Sequence, residues 1–377
     1  MKVVVIIPTY NEKGNIERLI DILETQIFPT IKNHNMNILV ADDNSPDGTS
    51  QEVKRLMNKW KNVDLCIGEK KGLGAAYIRG MTYTIQKMGA EIMFEMDADL
   101  SHDPKKIPEF LKKIDEGADM AVGTRYSQGG SIPSNWGFQR KLFSIFGNLL
   151  VRAILMRFSI HDWTGGFRCL KKEVFLREKN ELTSFLGYTF QVSFLHKAAR
   201  DGFKIAEVPI NFTDRTLGRS KIVPREYIAD LLRYVISSRI KELISGSFGK
   251  FLVVGSTGFA INILLYAFFI NNTKLSLFFA NIIAAQFAIF SNYNLNNLWT
   301  FKERKSVNLG SYLWKMLQFF LSSNIGVWLI QSGVIKVGEL MYGRKYPYIY
   351  FIIGTGLLLI WNFTMYSRVI WKKHPKK

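Results

Sequence analysis

The last third of the sequence contains four apolar segments, each long enough to cross a lipid bilayer as a helix, which takes about 20 residues. They lie near Phe251–Ile270, Leu275–Leu298, Tyr312–Ile335 and Tyr348–Trp371. Polar side chains within such segments have to face other helices or a cavity. The polar residues here include Asn262, Gln286, Asn292, Asn324 and Asn362. The pattern predicts an all-α, four-helix transmembrane domain over residues 246–377, with the helical core of a soluble protein as the alternative.

The positive charge of the chain is concentrated in the same region. Residues 245–377 contain 14 Lys and Arg but only two acids, and so contribute +12 of the net charge of +19. Because these basic residues flank apolar segments, they indicate membrane lipid rather than nucleic acid as the partner. Cationic loops remain cytoplasmic, and both the loop around Lys302 and the tail after Trp371 are cationic. The prediction is a multi-pass integral membrane protein whose large N-terminal domain and C-terminus are cytoplasmic.

Residues 1–224 alternate short apolar runs with amphipathic stretches. The strand-like runs are Val3–Ile7, Ile38–Ala41, Val63–Ile67, Ile92–Met96 and Met120–Gly123. This alternation predicts an α/β domain with a mostly parallel, Rossmann-like sheet and a ligand site at the carboxyl ends of its strands. No Gly-x-Gly-x-x-Gly follows the first strand and no Walker-type lysine is present, which disfavours dinucleotide-binding and P-loop proteins.

An acidic pair, Asp97-Ala98-Asp99, directly follows the fourth of these runs. Two carboxylates one residue apart can present oxygens to one hard cation. Mg²⁺ and Mn²⁺ accept such ligands and keep other positions for water and substrate phosphate. Because a parallel sheet binds ligands at the carboxyl ends of its strands, the pair favours a metal that faces a nucleotide diphosphate. A solvated acidic turn is the alternative.

The second predicted strand ends at another carboxylate, Asp42. From this position its oxygens can accept hydrogen bonds from a base or a ribose. They can equally cap the helix that is predicted to follow. The spacing alone leaves both interpretations open.

Two further stretches are amphipathic and carry arginines within or beside their apolar faces, at about residues 141–158 and 225–245. The arginines disfavour membrane spanning and are compatible with helices that lie in the membrane interface. Two ordinary core helices are the alternative. The second stretch is also predicted to link the two domains.

The motifs that follow the predicted strands occur in a specific order. They are Pro8-Thr9-Tyr10-Asn11-Glu12, Asp42-Asp43-Asn44-Ser45-Pro46-Asp47-Gly48-Thr49, Lys71-Gly72-Leu73-Gly74 and Asp97-Ala98-Asp99-Leu100-Ser101-His102. In this order they resemble the family 2 glycosyltransferases, which have the GT-A fold, over residues 1 to about 240. Within that family the chain is most similar to the dolichyl-phosphate mannose synthases. The last third resembles the GtrA-like membrane domain, in Ser291-Asn292-Tyr293 and Trp299-Thr300-Phe301.

The resemblance implies a role for each matching residue. The positions that contact the nucleoside in the family are Pro8, Tyr10, Glu12, Val40 and Asp42. Those at the diphosphate and the metal are Asp97, Ala98 and Asp99, with Ser101 where several relatives have a glutamine ligand. The cations at the donor phosphates are Arg125, Arg215 and Lys221, and those at the acceptor phosphate are Arg125 and Arg140, together with Ser144. Asp99 and Arg125 are the residues expected to be catalytic, with Mg²⁺ or Mn²⁺ as cofactor.

The activity implied by the resemblance is inverting transfer of mannose from GDP-mannose to dolichyl (polyprenyl) phosphate, which gives a β-mannosyl lipid for protein glycosylation. Three alternatives remain at this point. The first is a polyprenyl-phosphate glucosyltransferase that uses UDP-glucose. The second is a processive polysaccharide synthase, although the usual Gln-x-x-Arg-Trp motif is absent. The third is a lipid-sugar flippase or scaffold with a nucleotide-binding domain.

Overall fold

The computed structural model describes residues 1–182, 187, 189–214, 224–274, 277–306, 308–343 and 346–372. The chain divides into two compact units, Met1–Ser237 and Ser238–Lys377. The division falls inside the stretch 225–245, which the sequence predicts to be the linker between the domains. That stretch forms one helix, α8, over Pro224–Ser245.

Unit 1 is built around a seven-stranded, mostly parallel sheet with the strand order β3-β2-β1-β4-β6-β5-β7. The strands are β1 (Lys2–Thr9), β2 (Asn35–Asp42), β3 (Val63–Ile67), β4 (Ile92–Glu95), β5 (Met120–Thr124), β6 (Arg168–Lys171) and β7 (Ile205–Pro209). All five strands predicted from the sequence are present. The predicted mostly parallel sheet is therefore confirmed.

β6 and β7 were not predicted from the sequence. β6 is only four residues long, begins and ends with a basic residue, and runs antiparallel to both β4 and β5. β7 is a half-buried edge strand that pairs with β5 alone. Neither segment is a long apolar run, which is the signal that identified the other strands.

Helices cover both faces of this sheet, which explains why its strands are continuously apolar. Along β1 the side chains alternate between two cores: Val3 and Val5 pack on one face, Val4 and Ile6 on the other. The helices of unit 1 are α1 (Lys13–Ile22), α2 (Thr49–Lys59), α3 (Leu73–Tyr83), α4 (Ile107–Asp115), α5 (Phe138–Leu155), α6 (Lys172–Leu182), α7 (Thr189–Arg200) and the first part of α8.

Unit 2 is helical at all four predicted apolar segments. The helices are α9 (Ser247–Asn272), α10 (Leu277–Leu295), α11 (Leu309–Ile325), α12 (Ser332–Tyr342) and α13 (Pro347–Met365). The third predicted segment is longer than expected, because a π-helical turn over Gly326–Gln331 joins α11 to α12. In the described part of the chain, one helix, at Ser247–Phe269, is by length and composition able to cross a membrane.

Aromatic residues hold unit 2 together at the end where α9 begins and α13 ends. Trp371 is fully buried and stacks on Phe301 with 4.8 Å between ring centroids. Its indole N–H donates a 3.1 Å hydrogen bond to Oδ1 of Asn297. Phe319 stacks on Tyr366 in the same cluster, at 4.3 Å.

Candidate active site

Three adjacent strands of unit 1 end together at one edge of the sheet. β1 ends at Thr9, β2 at Asp42 and β4 at Glu95, and β1 lies between the other two. The three strands are parallel, so the segments that follow them meet along a single edge. The predicted nucleoside and metal residues are therefore neighbours in the fold, although they are far apart in the sequence.

Asp42 is completely buried and organises the loop that follows β2. Its Oδ1 accepts hydrogen bonds from the hydroxyls of Thr9 and Ser45, at 2.8 and 2.6 Å. Its Oδ2 accepts from the backbone N–H of Ser45 and the hydroxyl of Ser50, in the first turn of α2. These four bonds fix the loop between β2 and α2, but α2 has no side-chain cap, so capping of α2 by Asp42 is not observed. Contact of Asp42 with the nucleoside stays a prediction.

The other predicted nucleoside residues occupy different environments. Val40 has no exposed surface and packs in the core, so its side chain supports the sheet. Pro8 is half-buried at the end of β1. The ring of Tyr10 lies 3.5 Å from the ammonium of Lys70, which brings a cation to this edge. The carboxylate of Glu12 accepts a hydrogen bond from Asn15, the residue three positions further on.

The two aspartates of the acidic pair differ in exposure. Asp99 is 6% exposed, and its Oδ1 accepts a hydrogen bond from the backbone N–H of Ser101. The side chain of Asp97 is 38% exposed. Leu100 has a φ of +62°, a left-handed conformation that is uncommon for residues other than glycine and that turns the chain sharply after Asp99. The pair thus occupies a tight turn at the sheet edge.

This donor set fits a hard divalent cation that is completed by substrate. The described residues contain no cluster of three or more His, Cys, Asp or Glu side chains that could hold a metal alone. Asp97 and Asp99 provide carboxylate oxygens only, which suits Mg²⁺ or Mn²⁺ bound through one or two carboxylates and phosphate oxygens. Ala98, between them, is buried and offers no side-chain ligand. Ser101 is also buried, and its role as a ligand stays a prediction.

His102 fixes the backbone of this turn. Its Nδ1 accepts a 3.1 Å hydrogen bond from the backbone N–H of Asp97, and its ring stacks on Phe167 at 5.0 Å. Burial lowers the pKa of His102, although the nearby aspartates act in the opposite direction. A neutral imidazole whose Nδ1 already accepts a hydrogen bond is suited to positioning the acidic pair, as residues that hydrogen-bond to metal-binding segments do.

We expect replacement of His102 by Phe to weaken metal binding without abolishing turnover. The substitution keeps an aromatic ring against Phe167 but removes the acceptor for the Asp97 N–H. Loss of such a partner reduces metal affinity or activity by about 10- to 100-fold. Activity measured over a titration of Mn²⁺ should show a higher metal requirement and substantial recovery at saturation. Complete loss of turnover in a variant that still binds both substrates would instead make His102 a catalytic base.

Arg125 follows β5 and forms a buried, bidentate ion pair with Asp162. Its Nε and Nη2 donate to the two carboxylate oxygens of Asp162 at 2.7 and 2.9 Å, and Nη2 also donates to Thr164. Asp162 is completely inaccessible and Arg125 is 10% exposed, measured on their side chains. Burial alone would raise the pKa of Asp162, but the Arg125 guanidinium and several hydrogen bonds hold it below the usual range.

The pairing with Asp162 orients Arg125 and leaves part of its guanidinium available. Among the described residues, no acceptor bonds to Nη1, which carries two N–H groups. A bidentate partner on one edge pre-organises the other edge for a phosphate oxygen. This geometry is compatible with the predicted phosphate contact of Arg125.

Arg140 and Ser144 lie one turn apart on α5, as the sequence spacing predicts, but each has its own partner. Arg140 is 55% exposed, pairs with Asp214 at 3.1 Å and covers the ring of Trp136 at 4.0 Å. The hydroxyl of Ser144 is hydrogen-bonded to the hydroxyl of Tyr126 at 2.5 Å. An acceptor phosphate would therefore have to compete with Asp214 for Arg140. Arg215 and Lys221 lie outside the described residues.

Arg168, the first residue of β6, makes contacts that fix the structure around it. Arg168 is completely buried, and its guanidinium donates to the backbone carbonyls of Gly165, Gln191 and Trp163. It is paired in register with Glu95 across the antiparallel strands. Burial raises the pKa of Glu95, and the Arg168 charge opposes that rise. Arg168 therefore has a structural role beneath the acidic turn.

Two residues that sequence reasoning missed hold the Arg125 side of the site. Asp162 accepts hydrogen bonds from the backbone of Thr164 and Gly165 in addition to Arg125. Asn148, buried on α5, accepts from the backbone N–H of Trp163 at 2.7 Å. In the sequence, Asp162 stands two residues before Thr164-Gly165-Gly166-Phe167-Arg168, and nothing in this local pattern indicates that Arg125 is its partner. Without its partner a single aspartate in a loop was not distinctive.

Comparisons with known proteins agree with this division of the chain. Residues 4–177 match the protein family "Glycosyl transferase family 2", and residues 250–371 match the family "GtrA/DPMS, transmembrane domain". The chain is 34% identical to dolichol-phosphate mannosyltransferase of Pyrococcus furiosus over 86% of its own length and 88% of the relative. It is 37% identical to polyprenol monophosphomannose synthase of Mycolicibacterium smegmatis over 59% of its own length and 81% of the relative.

Solved structures that match are more distant. Glucosyl-3-phosphoglycerate synthase from Mycobacterium tuberculosis is 18% identical, with a TM-score of 0.46 over 63% of this chain and 79% of that chain. The sheet topology and the acidic turn at its edge, together with the family match, define a glycosyltransferase of the GT-A fold. The chain belongs to glycosyl transferase family 2 and, within it, to the group of dolichol-phosphate mannosyltransferases that carry a GtrA/DPMS transmembrane domain.

Proposed function

We propose that this protein transfers mannose from GDP-mannose to the phosphate of dolichol or a related polyprenol, with inversion at the anomeric carbon. The observation that carries the proposal is the sheet edge where Asp97 and Asp99 follow β4, in a chain 34% identical to a dolichol-phosphate mannosyltransferase over most of its length. In this proposal the nucleotide and the metal bind at the carboxyl ends of β1, β2 and β4. The ion-paired Arg125 provides a fixed cation for phosphate.

The acceptor in this reaction needs no catalytic base. A phosphate monoester has a second pKa of about 6 and is already mostly ionised near neutral pH. Its oxygen attacks the anomeric carbon of mannose while the bond from that carbon to the diphosphate oxygen breaks, and GDP leaves with the electron pair. At the acidic turn His102 is buried and its Nδ1 accepts a hydrogen bond from the backbone N–H of Asp97, which supports a positioning role for this imidazole.

The protein's own contribution is alignment and charge stabilisation. Asp97 and Asp99 would hold Mg²⁺ or Mn²⁺, which neutralises the departing diphosphate when bound. Arg125 places a pre-oriented guanidinium where charge on phosphate has to be balanced. Arg140 and Ser144 would receive the acceptor phosphate once Arg140 exchanges Asp214 for it. We assign Arg215 and Lys221 to the donor phosphates from the family resemblance alone.

The outer face of α5 suits it to lie in the membrane interface, where the lipid acceptor is found. Its apolar side chains Phe143, Phe146 and Leu149 are 65%, 61% and 48% exposed, whereas Val151 and Leu155 on the opposite face are buried. A contiguous exposed apolar face is costly in water and marks an interaction surface. We propose that α5 inserts this face among lipid headgroups on the cytoplasmic side, and that residues 246–377 form a multi-pass membrane anchor.

Only part of the apolar surface of α8 is exposed and could contact the membrane interface. Leu231 and Val235 pack in the core of unit 1, whereas Ile228 and Ile236 are 39% and 46% exposed. Its first part therefore combines a core face with an exposed one. Interfacial contact by α8 would use Ile228 and Ile236.

Charge introduced on the exposed face of α5 should impair use of a membrane-bound acceptor. We expect Phe143→Asp combined with Phe146→Asp to raise the KM for dolichyl phosphate in liposomes about tenfold or more, because two aromatic contacts worth over 1 kcal/mol are lost. Activity on a short, detergent-soluble polyprenyl phosphate should change little. Leu176→Asp, at an exposed apolar position on α6, is the control. Equal effects on both acceptors would contradict an interfacial role.

The function itself is tested with purified, detergent-solubilised protein. Dolichyl phosphate and Mn²⁺ are incubated with labelled GDP-mannose or labelled UDP-glucose in separate reactions, and the lipid fraction is analysed. Labelled lipid from GDP-mannose alone is the expected result. Labelled lipid from UDP-glucose instead would preserve the mechanism and replace the sugar. Product from neither donor, in a protein that binds nucleotide, would overturn the proposal.

A further inference from the structure

The two arginines that the proposed function assigns to the acceptor phosphate are each paired with an aspartate, but the two pairs differ. Asp162 is inaccessible and contacts Arg125 at 2.7 and 2.9 Å. Asp214 contacts Arg140 at 3.1 and 3.3 Å, and these two side chains are 31% and 55% exposed. A buried partner is costly to remove, whereas an exposed ion pair is weak and open to other anions. Asp162 is therefore a permanent counter-ion, and Asp214 is an exchangeable one.

One side of α5 connects Arg140 with Arg125. Arg140, Ser144 and Asn148 follow one another at intervals of four residues and so share this side of the helix. Asn148 donates to the hydroxyl of Thr164 at 3.4 Å, and the same hydroxyl accepts a hydrogen bond from Arg125. The exposed apolar face belongs to the same helix. A lipid whose hydrocarbon contacts that face would therefore find both cations near its phosphate.

Aromatic rings hold the guanidinium of Arg140 in place. It lies 4.0 Å from the ring centroid of Trp136, which is 7% exposed. Trp136 packs edge-to-face on Phe212 at 5.9 Å, and Phe212 lies 5.6 Å from the guanidinium of Arg125. Because the ring covers a face of the guanidinium, its N–H groups remain available for an anion. Asp214 now bonds to N–H groups that a phosphate would use.

The segment that carries Asp214 is attached to the acidic turn. The backbone N–H of Thr213 donates to the carbonyl of Ser101 at 3.4 Å, and the hydroxyl of Thr213 donates to the carbonyl of Leu100 at 3.3 Å. This attachment keeps the Asp214 carboxylate near Arg140 when their ion pair is broken. A tethered group acts at a high effective concentration. Asp214 therefore competes with any anion that binds Arg140.

The transfer reaction changes the charge of the anion that would bind here. Polyprenyl phosphate is a monoester with a second pKa of about 6, so near neutral pH it has three terminal oxygens and close to two negative charges. Bond formation with the anomeric carbon makes it a diester, with two terminal oxygens and one negative charge. At equal distance a dianion attracts a guanidinium about twice as strongly as a carboxylate does, whereas a monoanion only equals the carboxylate.

We propose that Asp214 is an internal competitor, which yields Arg140 to the dianionic lipid phosphate and displaces the monoanionic product from it. The identity of these two lipids rests on the proposed function. Asp214 thereby promotes release of the glycosylated lipid, at the expense of weaker binding of the acceptor. This role explains why a cation that is predicted to receive the acceptor phosphate already has a carboxylate partner.

Replacing Asp214 by Asn should tighten the binding of both lipids, because it removes the competing charge at nearly unchanged size. The dissociation constants are measured without turnover on the full chain in a non-ionic detergent. The probes are a radiolabelled short polyprenyl phosphate and, as its competitor, the β-mannosyl phosphoryl form of the same polyprenol. Both constants should fall about fivefold, the upper range for an exposed ion pair. In the transfer assay, the KM for the acceptor should fall and inhibition by added product should strengthen.

Two further variants separate competition from other effects of the substitution. Asp214→Glu keeps the carboxylate and should bind both lipids as the unmodified protein does. Asp230→Asn is the matched control, because it removes the same charge from another exposed pair, with Arg233 on α8. It should leave both dissociation constants unchanged. Should Asp214→Asn fail to fold, Asp214→Ser removes the same charge and should give the same gain in affinity.

Other outcomes would overturn the proposal. Weaker binding in Asp214→Asn would mean that Asp214 merely positions Arg140, and unchanged binding would mean that it does not compete. An equal gain in Asp230→Asn would indicate a general effect of net charge. Because both lipids are supplied ready-made, the expected gain in a protein that transfers no mannose would refute the proposed function and leave the role of Asp214 intact. Mannosyl transfer with unchanged lipid binding would do the reverse.

Discussion

Replacing Asp99 by Ala should reduce mannosyl transfer by about 1,000-fold or more. Asp99 is one of the two carboxylates at the end of β4, is 6% exposed, and is held in a tight turn by the backbone N–H of Ser101. We propose Asp99 as a metal ligand, so its loss would remove several kcal/mol of charge stabilisation from the departing diphosphate, and each 1.36 kcal/mol corresponds to about tenfold in rate. The measurement is transfer from GDP-mannose at saturating Mn²⁺.

The control for this prediction is Asp103→Ala in the same loop. The Asp103 side chain accepts a hydrogen bond from the backbone N–H of Lys105 and caps the short helix that follows, so its loss should cost stability but little activity. Both variants should give the elution profile and unfolding temperature of a folded protein. An Asp99→Ala protein with near-normal transfer would rule out the metal assignment.

Replacing Asp162 by Ala should affect both stability and activity, since it leaves the buried guanidinium of Arg125 without its bidentate partner. Removing one member of a buried pair costs about 3–5 kcal/mol of folding free energy. The freed guanidinium also loses the orientation that the 2.7 and 2.9 Å contacts impose. We expect a clear fall in unfolding temperature, together with a transfer rate lowered by about 100-fold, the loss typical of one misplaced electrostatic group.

The pH dependence of stability provides a second readout of the same pair. The pKa of Asp162 is lowered in the folded protein, so the pair stabilises the fold above the carboxylate's unfolded pKa. This stabilisation is lost as the pH falls through the lower, folded-state pKa. Asp162→Asn should therefore flatten the acid limb of the stability curve. The matched control is Asp201→Asn, a surface partner of Arg177 and Arg200, which should cost far less. Equal losses from both would contradict a special role for the Arg125 pair.

The sequence was most informative where one local pattern decides the structure. Runs such as Val3–Ile7 are buried on both faces of the sheet, and a continuous apolar run identifies such a strand. Asp97 and Asp99 were identifiable because they follow a run of this kind. The four long apolar segments were likewise found as helices, since length and composition alone define them.

The parts that the sequence did not predict depend on contacts between distant residues. The pair of Arg125 with Asp162 joins positions 37 residues apart, and neither residue stands in a distinctive local pattern. The antiparallel insertion of β6 depends on register with β4 and β5. The i, i+4 spacing of Arg140 and Ser144 was correct for one helical face, but spacing could not show that Asp214 and Tyr126 bond to them. The hydrogen bonds that Asp42 accepts from the hydroxyls of Thr9, Ser45 and Ser50 could likewise not be predicted from the sequence.

Direct attack by the lipid phosphate is tested by the anomeric configuration of the lipid product made from GDP-mannose and dolichyl phosphate. A single in-line displacement by the lipid phosphate, with no covalent enzyme intermediate, must convert the α-linked donor into a β-linked mannosyl phosphate. The one-bond carbon–proton coupling at the anomeric carbon, measured by NMR on the purified lipid, distinguishes the two anomers. We expect the β-mannosyl phosphate alone. An α-linked product would contradict direct attack by the acceptor phosphate at the Asp97–Asp99 edge.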